Sequence, residues 1–365
     1  MNRSFEEWDR LFRNNNQFAF NNDNEGLVWL KVRAITRKKQ LENFLERNSD
    51  IIIVSRKQKE IGIELYEKIL ALPNGMQRLD HFLQDRSQEM YALKNVDIPS
   101  LKNDLYRVTD YKWGGDQNNS LDKFLVSHYV KSISHFDELL SKAAEIGTNA
   151  WNYVQNSWYN NWTSYLVETL FENHPRVVSA VGEIKSVDFF IDNYPIDLKV
   201  TFFPKEYLQE KLRAYYQGKK EITWLKKKAK EKNISFDGNQ KDEYVYYQIT
   251  ESMRLQGIND ILDILNTNRC NVVNEAENNP NELMTWLYTK QGEMRFGAEN
   301  RIFVVMVNMD DMTQSWKMKR EFSIIEPEVN DFLNNFTRQS LQQVDYQFKA
   351  NTYHSLSGII FIKNR

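Results

Sequence analysis

The chain has 365 residues, of which 41% are hydrophobic and 13% aromatic, and its formal net charge is -2. This composition supplies a sizeable core, excludes a disordered chain, and gives two domains as the prior expectation. No window approaches the run of about eighteen apolar residues that spans a membrane, and the amino terminus lacks a signal-peptide core. The single cysteine, Cys270, excludes an internal disulfide framework. We therefore expect a cytoplasmic protein without a membrane partner.

Residues 1–145 predict a mainly helical domain. Apolar residues recur at helical spacing in 27–48, 61–71 and 134–146, and Ser120 and Ser134 are typical helix N-caps. The apolar run 51–54 predicts a short strand. We expect this domain to serve in sequence recognition, partner binding or dimerisation.

Residues 146–365 predict a mixed sheet with helices on both faces. A long aromatic helix should run from 149 to about 173, where His174-Pro175 ends it. Strands are predicted at 177–181, 187–191, 196–203, 302–307 and 358–362, and a charged helical insertion at about 205–292. This order of elements indicates an α/β fold of the mixed, α+β kind.

Acidic and basic residues alternate with apolar ones in the predicted hairpin at 187–203. Side chains of a strand alternate between faces, which sends Asp197 and Lys199 to the same side. The turn formers before Ile196 would place Asp188 opposite Asp197 or Lys199, and opposed residues share a face. The hairpin therefore predicts two carboxylates and one amine close together.

Such a group suits a hard divalent cation. Mg²⁺ prefers oxygen ligands and keeps several waters, so Asp188 and Asp197 are enough to hold it against a phosphate. The ion would polarise the phosphoryl oxygen and lower the pKa of a bound water. Lys199 could orient that water or offset developing negative charge, and Glu168 on the preceding helix is a candidate third acid.

Glu168, Val187-Asp188 and Asp197-Leu198-Lys199 together resemble the motif of the PD-(D/E)xK nuclease superfamily, whose fold is restriction endonuclease-like. Val187 replaces the family's proline, and the match covers roughly fifty residues. The resemblance implies that Asp188, Asp197 and Glu168 are metal ligands and that Lys199 orients water. It further implies a Mg²⁺-dependent DNA endonuclease, most like a type II restriction enzyme or another bacterial anti-phage nuclease.

Competing interpretations remain for these residues. Asp110-Tyr111-Lys112 has no apolar strand before it, and Glu183-Ile184-Lys185 has no partner acid in the run before it. Glu183 is nevertheless an alternative third acid. The hairpin could also be a surface element in which Asp188 and Lys199 form a cross-strand ion pair.

Positive charge is concentrated after the hairpin. Between 204 and 232 there are ten Lys or Arg and four Glu, a net charge of +6, interleaved with Tyr207, Tyr215, Tyr216 and Trp224. Such a segment could follow a phosphate backbone, or it could be a solvated helix face. Basic and aromatic residues also flank the 302–307 strand, at 294–301 and 316–320. The candidate nucleic-acid contacts are Lys219, Lys220, Lys226, Lys227, Lys228, Arg295 and Arg301.

The expected partner is double-stranded DNA, and a homodimer would suit cleavage of a palindrome. Histidines and Cys270 lack zinc-ligand spacing, and no phosphate-binding loop or dinucleotide fingerprint occurs, so no nucleotide cofactor is expected. The alternative is a non-catalytic nuclease-fold module that binds nucleic acid or protein. RNA is a third option, with Trp151 and Trp158 available to stack bases or to fill the core.

Overall fold

A computed structural model describes residues 3–111, 120–181, 184, 186–290, 298–348 and 350–364. Its described part contains one six-stranded mixed sheet with the strand order β1-β2-β3-β4-β6-β5. The strands are β1 (Val177–Ser179), β2 (Phe189–Ile191), β3 (Tyr194–Phe202), β4 (Arg301–Val307), β5 (Gln342–Phe348) and β6 (Asn351–Lys363).

The sheet combines an antiparallel edge with a parallel centre. β1, β2 and β3 form an antiparallel meander, whose β2–β3 turn has Asp192 in the left-handed region at φ +49°. β3, β4 and β6 are parallel, and β5 pairs antiparallel with β6. All seven residues of β4 are buried, as expected of a parallel strand that is covered on both faces.

Helices cover both faces of the sheet. Alternate residues of β4 point to opposite sides, so Ile302 packs beneath α9 and α15, whereas Phe303 packs beneath α10 to α14. These helices are α9 (Ala143–Glu172), α10 (Lys205–Tyr215), α11 (Glu221–Glu231), α12 (Asp242–Leu255), α13 (Asn259–Asn278), α14 (Pro280–Thr289) and α15 (Phe322–Asn334).

The amino-terminal region is helical, and most of it shares a core of its own. Trp8, Phe20 and Trp29 are fully buried together, and this core also takes in Phe190 of β2, which joins the helices to the antiparallel edge of the sheet. Ser4 and Glu7 form a capping box at the first helix. The helices are α1 (Phe5–Arg13), α2 (Asn24–Ile35), α3 (Lys38–Arg47), α4 (Gln58–Ala71), α5 (Gly75–Lys94), α6 (Ile98–Leu105), α7 (Leu121–Leu125) and α8 (Phe136–Ser141).

The predicted fold class, a mixed α/β chain with a helical amino-terminal region, is confirmed. The finer expectations, a restriction endonuclease-like arrangement and a domain boundary near 145, stay predictions. The strand expected at 51–54 is wrong, because this segment lies outside the sheet and leaves Ile52 and Val54 exposed. Ser134 is not an N-cap, since α8 begins after His135. None of the described helices is both long and apolar enough to span a membrane.

Candidate active site

Asp197 and Lys199 form an ion pair on β3. Lys199 Nζ donates to Asp197 Oδ1 over 2.8 Å, as the alternation of side chains along a strand predicts for positions two apart. Asp197 is buried, whereas the Lys199 side chain is about one-third exposed. The amine can therefore meet a ligand, while its carboxylate partner is held within the protein.

Asp188 lies at the point where β2 and β3 separate. Its backbone N–H donates to the Ile196 carbonyl over 2.8 Å, and its Oδ2 accepts from the Leu198 N–H over 2.7 Å. The carboxylate thus binds the β3 amide that lies between Asp197 and Lys199. Burial and the negative charge of Asp197 raise the pKa of Asp188, which the Leu198 hydrogen bond and Lys199 partly offset.

Glu168 on α9 belongs to the same electrostatic neighbourhood. The side chain is exposed, yet the carboxyl group is crowded by protein atoms that displace part of its hydration. This desolvation raises its pKa to about 7, with repulsion from Asp188 and Glu172 adding to the effect and Lys94 and Lys199 opposing it.

Glu172, one helical turn after Glu168, is an acid that the sequence analysis did not single out. Its Oε1 accepts from Ser179 Oγ over 2.7 Å, and its Oε2 accepts from the Tyr91 hydroxyl. The spacing of four residues on a helix places it on the same side as Glu168 and could have identified it. Glu172 is therefore fixed at the margin of the acid cluster that Glu168, Asp188 and Asp197 form.

Arg301 has a different position from the one predicted. As a nucleic-acid contact it should be exposed, but it is buried, with Nε donating to Asp197 Oδ2 over 2.9 Å and Nη2 to Glu299 Oε2 over 2.8 Å. Burial raises the pKa of Glu299, against the attraction of Arg301. Arg301 thus binds Asp197 and Glu299 inside the protein and is not placed to contact a ligand. The sequence carried no signal for this pairing, because Arg301 and Asp197 come from separate strands.

Two carboxylates of the site, those of Glu168 and Asp188, are the donors that suit Mg²⁺. Glu168 and Asp188 both have raised pKa values through burial and repulsion from neighbouring acids, and a bound cation would relieve that repulsion. Both oxygens of Asp197 are instead engaged by cations, Lys199 and Arg301. Across the described ranges, no three His, Cys, Asp or Glu side chains are placed to hold one ion. Two carboxylates with water and a substrate phosphate are still a usual Mg²⁺ environment.

The basic segment is largely neutralised by acids. Lys226 pairs with Asp242 at 2.9 Å, and Lys227 and Lys228 pair with Glu231 at 3.9 and 2.6 Å. Lys219 and Lys220 are exposed. Among the described residues, no carboxylate lies within 4.0 Å of either amine, the limit for an ion pair.

The aromatic residues predicted as partners of these lysines are partly internal. Tyr207 and Tyr216 are buried in the core, which favours the interpretation of a solvated helix face over a binding segment. Trp151 is exposed, whereas Trp158 is half-buried. The candidates Glu183 and Arg295 lie outside the described residues, as do Lys112 and Lys185 of the two rival motifs.

No protein-family model, curated protein or solved structure matches this chain.

Proposed function

We propose that this chain is a Mg²⁺-dependent endonuclease that hydrolyses phosphodiester bonds of double-stranded DNA. The observation that carries the proposal is the meeting of Asp188 with the Asp197–Lys199 pair around the Leu198 amide, with Glu168 close enough to respond to their charges. Perturbed carboxyl groups gathered beside a partly exposed lysine are typical of a catalytic centre.

Glu168 and Asp188 would hold the Mg²⁺ ion. When bound, the ion supplies Lewis-acid polarisation of a phosphate oxygen and lowers the pKa of water. Lys199, aligned by Asp197, places a positive charge where negative charge develops on the phosphate. Arg301 positions Asp197 from below.

Water attacks phosphorus in line with the leaving 3′-oxygen and gives its proton to solvent. The bond between phosphorus and that oxygen breaks, and the oxygen takes a proton from solvent. The products are a 5′-phosphate and a 3′-hydroxyl.

The test is cleavage of unmethylated plasmid and phage DNA with Mg²⁺, and with EDTA. We expect fragments that require Mg²⁺ and that disappear in Asp188→Asn and Lys199→Ala, while Lys142→Ala, an exposed lysine on the surface, cuts as well as wild type. Fragments that persist in both site variants would place the chemistry elsewhere.

Discrete fragments would support the type II restriction class, and light scattering would test the homodimer that cleavage of a palindrome favours. A ladder of random fragments from a monomer would contradict both of these finer proposals while leaving the nuclease itself intact.

A second candidate function is a non-catalytic module that binds nucleic acid or protein. It is favoured by the engagement of both Asp197 oxygens with Lys199 and Arg301, which leaves fewer carboxylate oxygens for a metal. Binding of duplex DNA without cleavage of DNA or RNA under any metal condition would support this candidate.

A further inference from the structure

A cleft opens where β5 stops pairing with β6. β5 begins at Gln342, which pairs with Ser357, whereas β6 continues to Lys363. The chain before β5 approaches along the α15 side of Gly358 as the 3₁₀ turn Arg338–Ser340. A side chain at Gly358 would press against the last carbonyl of this turn, so glycine is what allows the approach. Beyond Gly358, the outer edge of β6 has no strand partner among the described residues.

The backbone of this edge has donors and acceptors that point into the cleft. The Asp197 N–H donates to the Asn300 carbonyl, so the amide groups of even-numbered residues in β4 face β3 and those of odd-numbered residues face β6. The parallel register then turns the even-numbered residues of β6 toward β4. Ile359 and Phe361 therefore direct their N–H and C=O groups away from β4, and no backbone hydrogen bond within the described ranges engages these groups.

The cleft has a volume of about 380 Å³ and lies between the two helical layers. α13 and α14 form one wall, which includes Pro280 and Met284, and α15 forms the other, which includes Phe332. The edge of β6 forms the floor, where Ile359 and Phe361 are half-buried. A further strand would lie about 4.8 Å from β6, in the space beside this edge. An extended peptide can therefore continue the line of β5 along the floor of the cleft.

The rim of the cleft is acidic. Glu277 on α13 lies on one side, and Glu328 and Asp331 on α15 lie on the other, all three of them exposed. Lys363 Nζ binds Glu277 over 2.5 Å, and Asn335 Nδ2 donates to Asp331 over 2.9 Å. Among the described residues, no lysine or arginine lines the cleft, and Glu328 has no cation within 4.0 Å. Three carboxylates and one ammonium group give the rim a net charge of -2.

This charge decides which occupant fits. A nucleic-acid strand would bring phosphates toward the three carboxylates, and a second copy of the cleft would bring the same acids together, so both are repelled. Lysine and arginine side chains can instead lay their aliphatic stems on Phe332 and Phe361 and reach the rim with their charged ends. Because the side chains of a strand alternate between faces, basic residues on one segment can reach Glu277 on one side and Glu328 on the other.

We infer that the outer edge of β6 at Ile359 and Phe361 binds an extended, lysine- or arginine-rich segment of a partner protein, which adds to the sheet as a strand. Main-chain hydrogen bonds to these two residues hold the segment, and the acidic rim selects its charge. β4 lies between this edge and the strand that carries Asp197 and Lys199, so the inference does not rest on the proposed endonuclease activity.

The experiment measures binding of a fluorescein-labelled peptide to the full chain by anisotropy. The peptide alternates lysine with valine over about seven residues, the length of an ordinary strand. We expect saturable binding that weakens as NaCl is added. The same peptide with every backbone amide N-methylated keeps its charge but loses its donors, and a peptide with glutamate in place of lysine reverses the charge. Neither should bind, and equal binding of either one would overturn the inference.

Charge reversal on the rim tests the site itself. Glu328→Lys combined with Asp331→Lys changes two exposed side chains of α15 and should weaken binding of the lysine peptide by about tenfold or more. Glu42→Lys combined with Glu46→Lys, two exposed positions on α3, makes the same change of charge and is the matched control that should keep the wild-type affinity. Wild-type affinity in the rim variant, or an equal loss in both variants, would overturn the inference.

Ile359→Pro tests the backbone contact. It removes an N–H that points into the cleft and leaves the hydrogen bonds between β4 and β6 intact, a position at which an edge strand tolerates proline. Folded Ile359→Pro should bind the lysine peptide much more weakly than Ile359→Ala, which loses the side chain but keeps the N–H. Equal affinity of these two variants would overturn the inference, and the rim variant tests it where Ile359→Pro does not fold. A wild-type dimer that the lysine peptide dissociates would place a second copy on this edge and overturn the assignment to a basic partner.

Discussion

Replacing Arg301 with methionine tests whether the buried charges beneath the candidate site depend on one another. Arg301 joins Asp197 and Glu299, and all three side chains are at most 7% exposed. Asp197 would keep Lys199, whereas Glu299 would lose its observed cation. Breaking a buried pair by removing one partner costs about 3–5 kcal/mol, because the remaining charge stays desolvated. We expect Arg301→Met to lose unfolding free energy in that range.

The size of the effect should depend on pH. Burial already holds the pKa of Glu299 above its usual value, and loss of Arg301 should raise it further. A carboxyl group whose folded pKa is raised destabilises the protein fully above that pKa and ceases to do so below its unfolded value of about 4.3. The loss in Arg301→Met should therefore be largest near neutral pH and smaller as the pH falls toward about 4.

Urea denaturation at several pH values measures both quantities, and a double-mutant cycle with Glu299→Gln assigns the cause. Glu299→Gln in the Arg301→Met background removes the orphaned charge, so the double variant should recover stability relative to Arg301→Met alone. A loss below about 1 kcal/mol, or one that Glu299→Gln leaves unchanged, would refute the reasoning that these buried charges act as one unit.

The other predictions concern charge repulsion and backbone fit. The folded pKa of Glu168 is about 7, so its ionised form opposes folding fully above that pH. Glu168→Gln should therefore raise the free energy of unfolding by about 1 kcal/mol near pH 8, an amount that is reduced for solvent screening. Near pH 4 the substitution should leave the free energy of unfolding unchanged. Mg²⁺ should raise the melting temperature of wild type, and it should raise that of Asp188→Asn much less. Equal shifts of the two melting temperatures in calorimetry would argue against an ion held by Glu168 and Asp188. Gly75→Ala should destabilise the protein by more than about 2 kcal/mol, since the added Cβ would clash with the Ile69 carbonyl oxygen. Gly147→Ala should instead stabilise the protein by about 1 kcal/mol, because a Cβ added at this helix position meets no described atom within 4 Å. Chemical denaturation that shows a more stable Gly75→Ala or a less stable Gly147→Ala would contradict the corresponding expectation.

Local patterns in the sequence were enough for much of the fold. The apolar run at 302–307 indicated a covered central strand, and β4 is buried at every position. His174-Pro175 marked the end of the long helix, which the structure ends at Glu172. Alternation along a strand predicted that Asp197 and Lys199 share a side, and they form an ion pair. These features depend on backbone periodicity over a few residues, which a single sequence records directly.

Pairings between distant elements were beyond such patterns. A basic residue before a strand was expected to face DNA, yet Arg301 is buried against Asp197, which is 104 residues away in the chain. The lysine cluster suggested free positive charge, but Asp242 comes from the next helix to neutralise Lys226. A polar side chain can face solvent, a ligand or an opposite charge with the same local sequence around it. Only the packing of helices and strands decides which of these neighbours it meets, because burial and charge compensation depend on residues that the chain brings together from far apart.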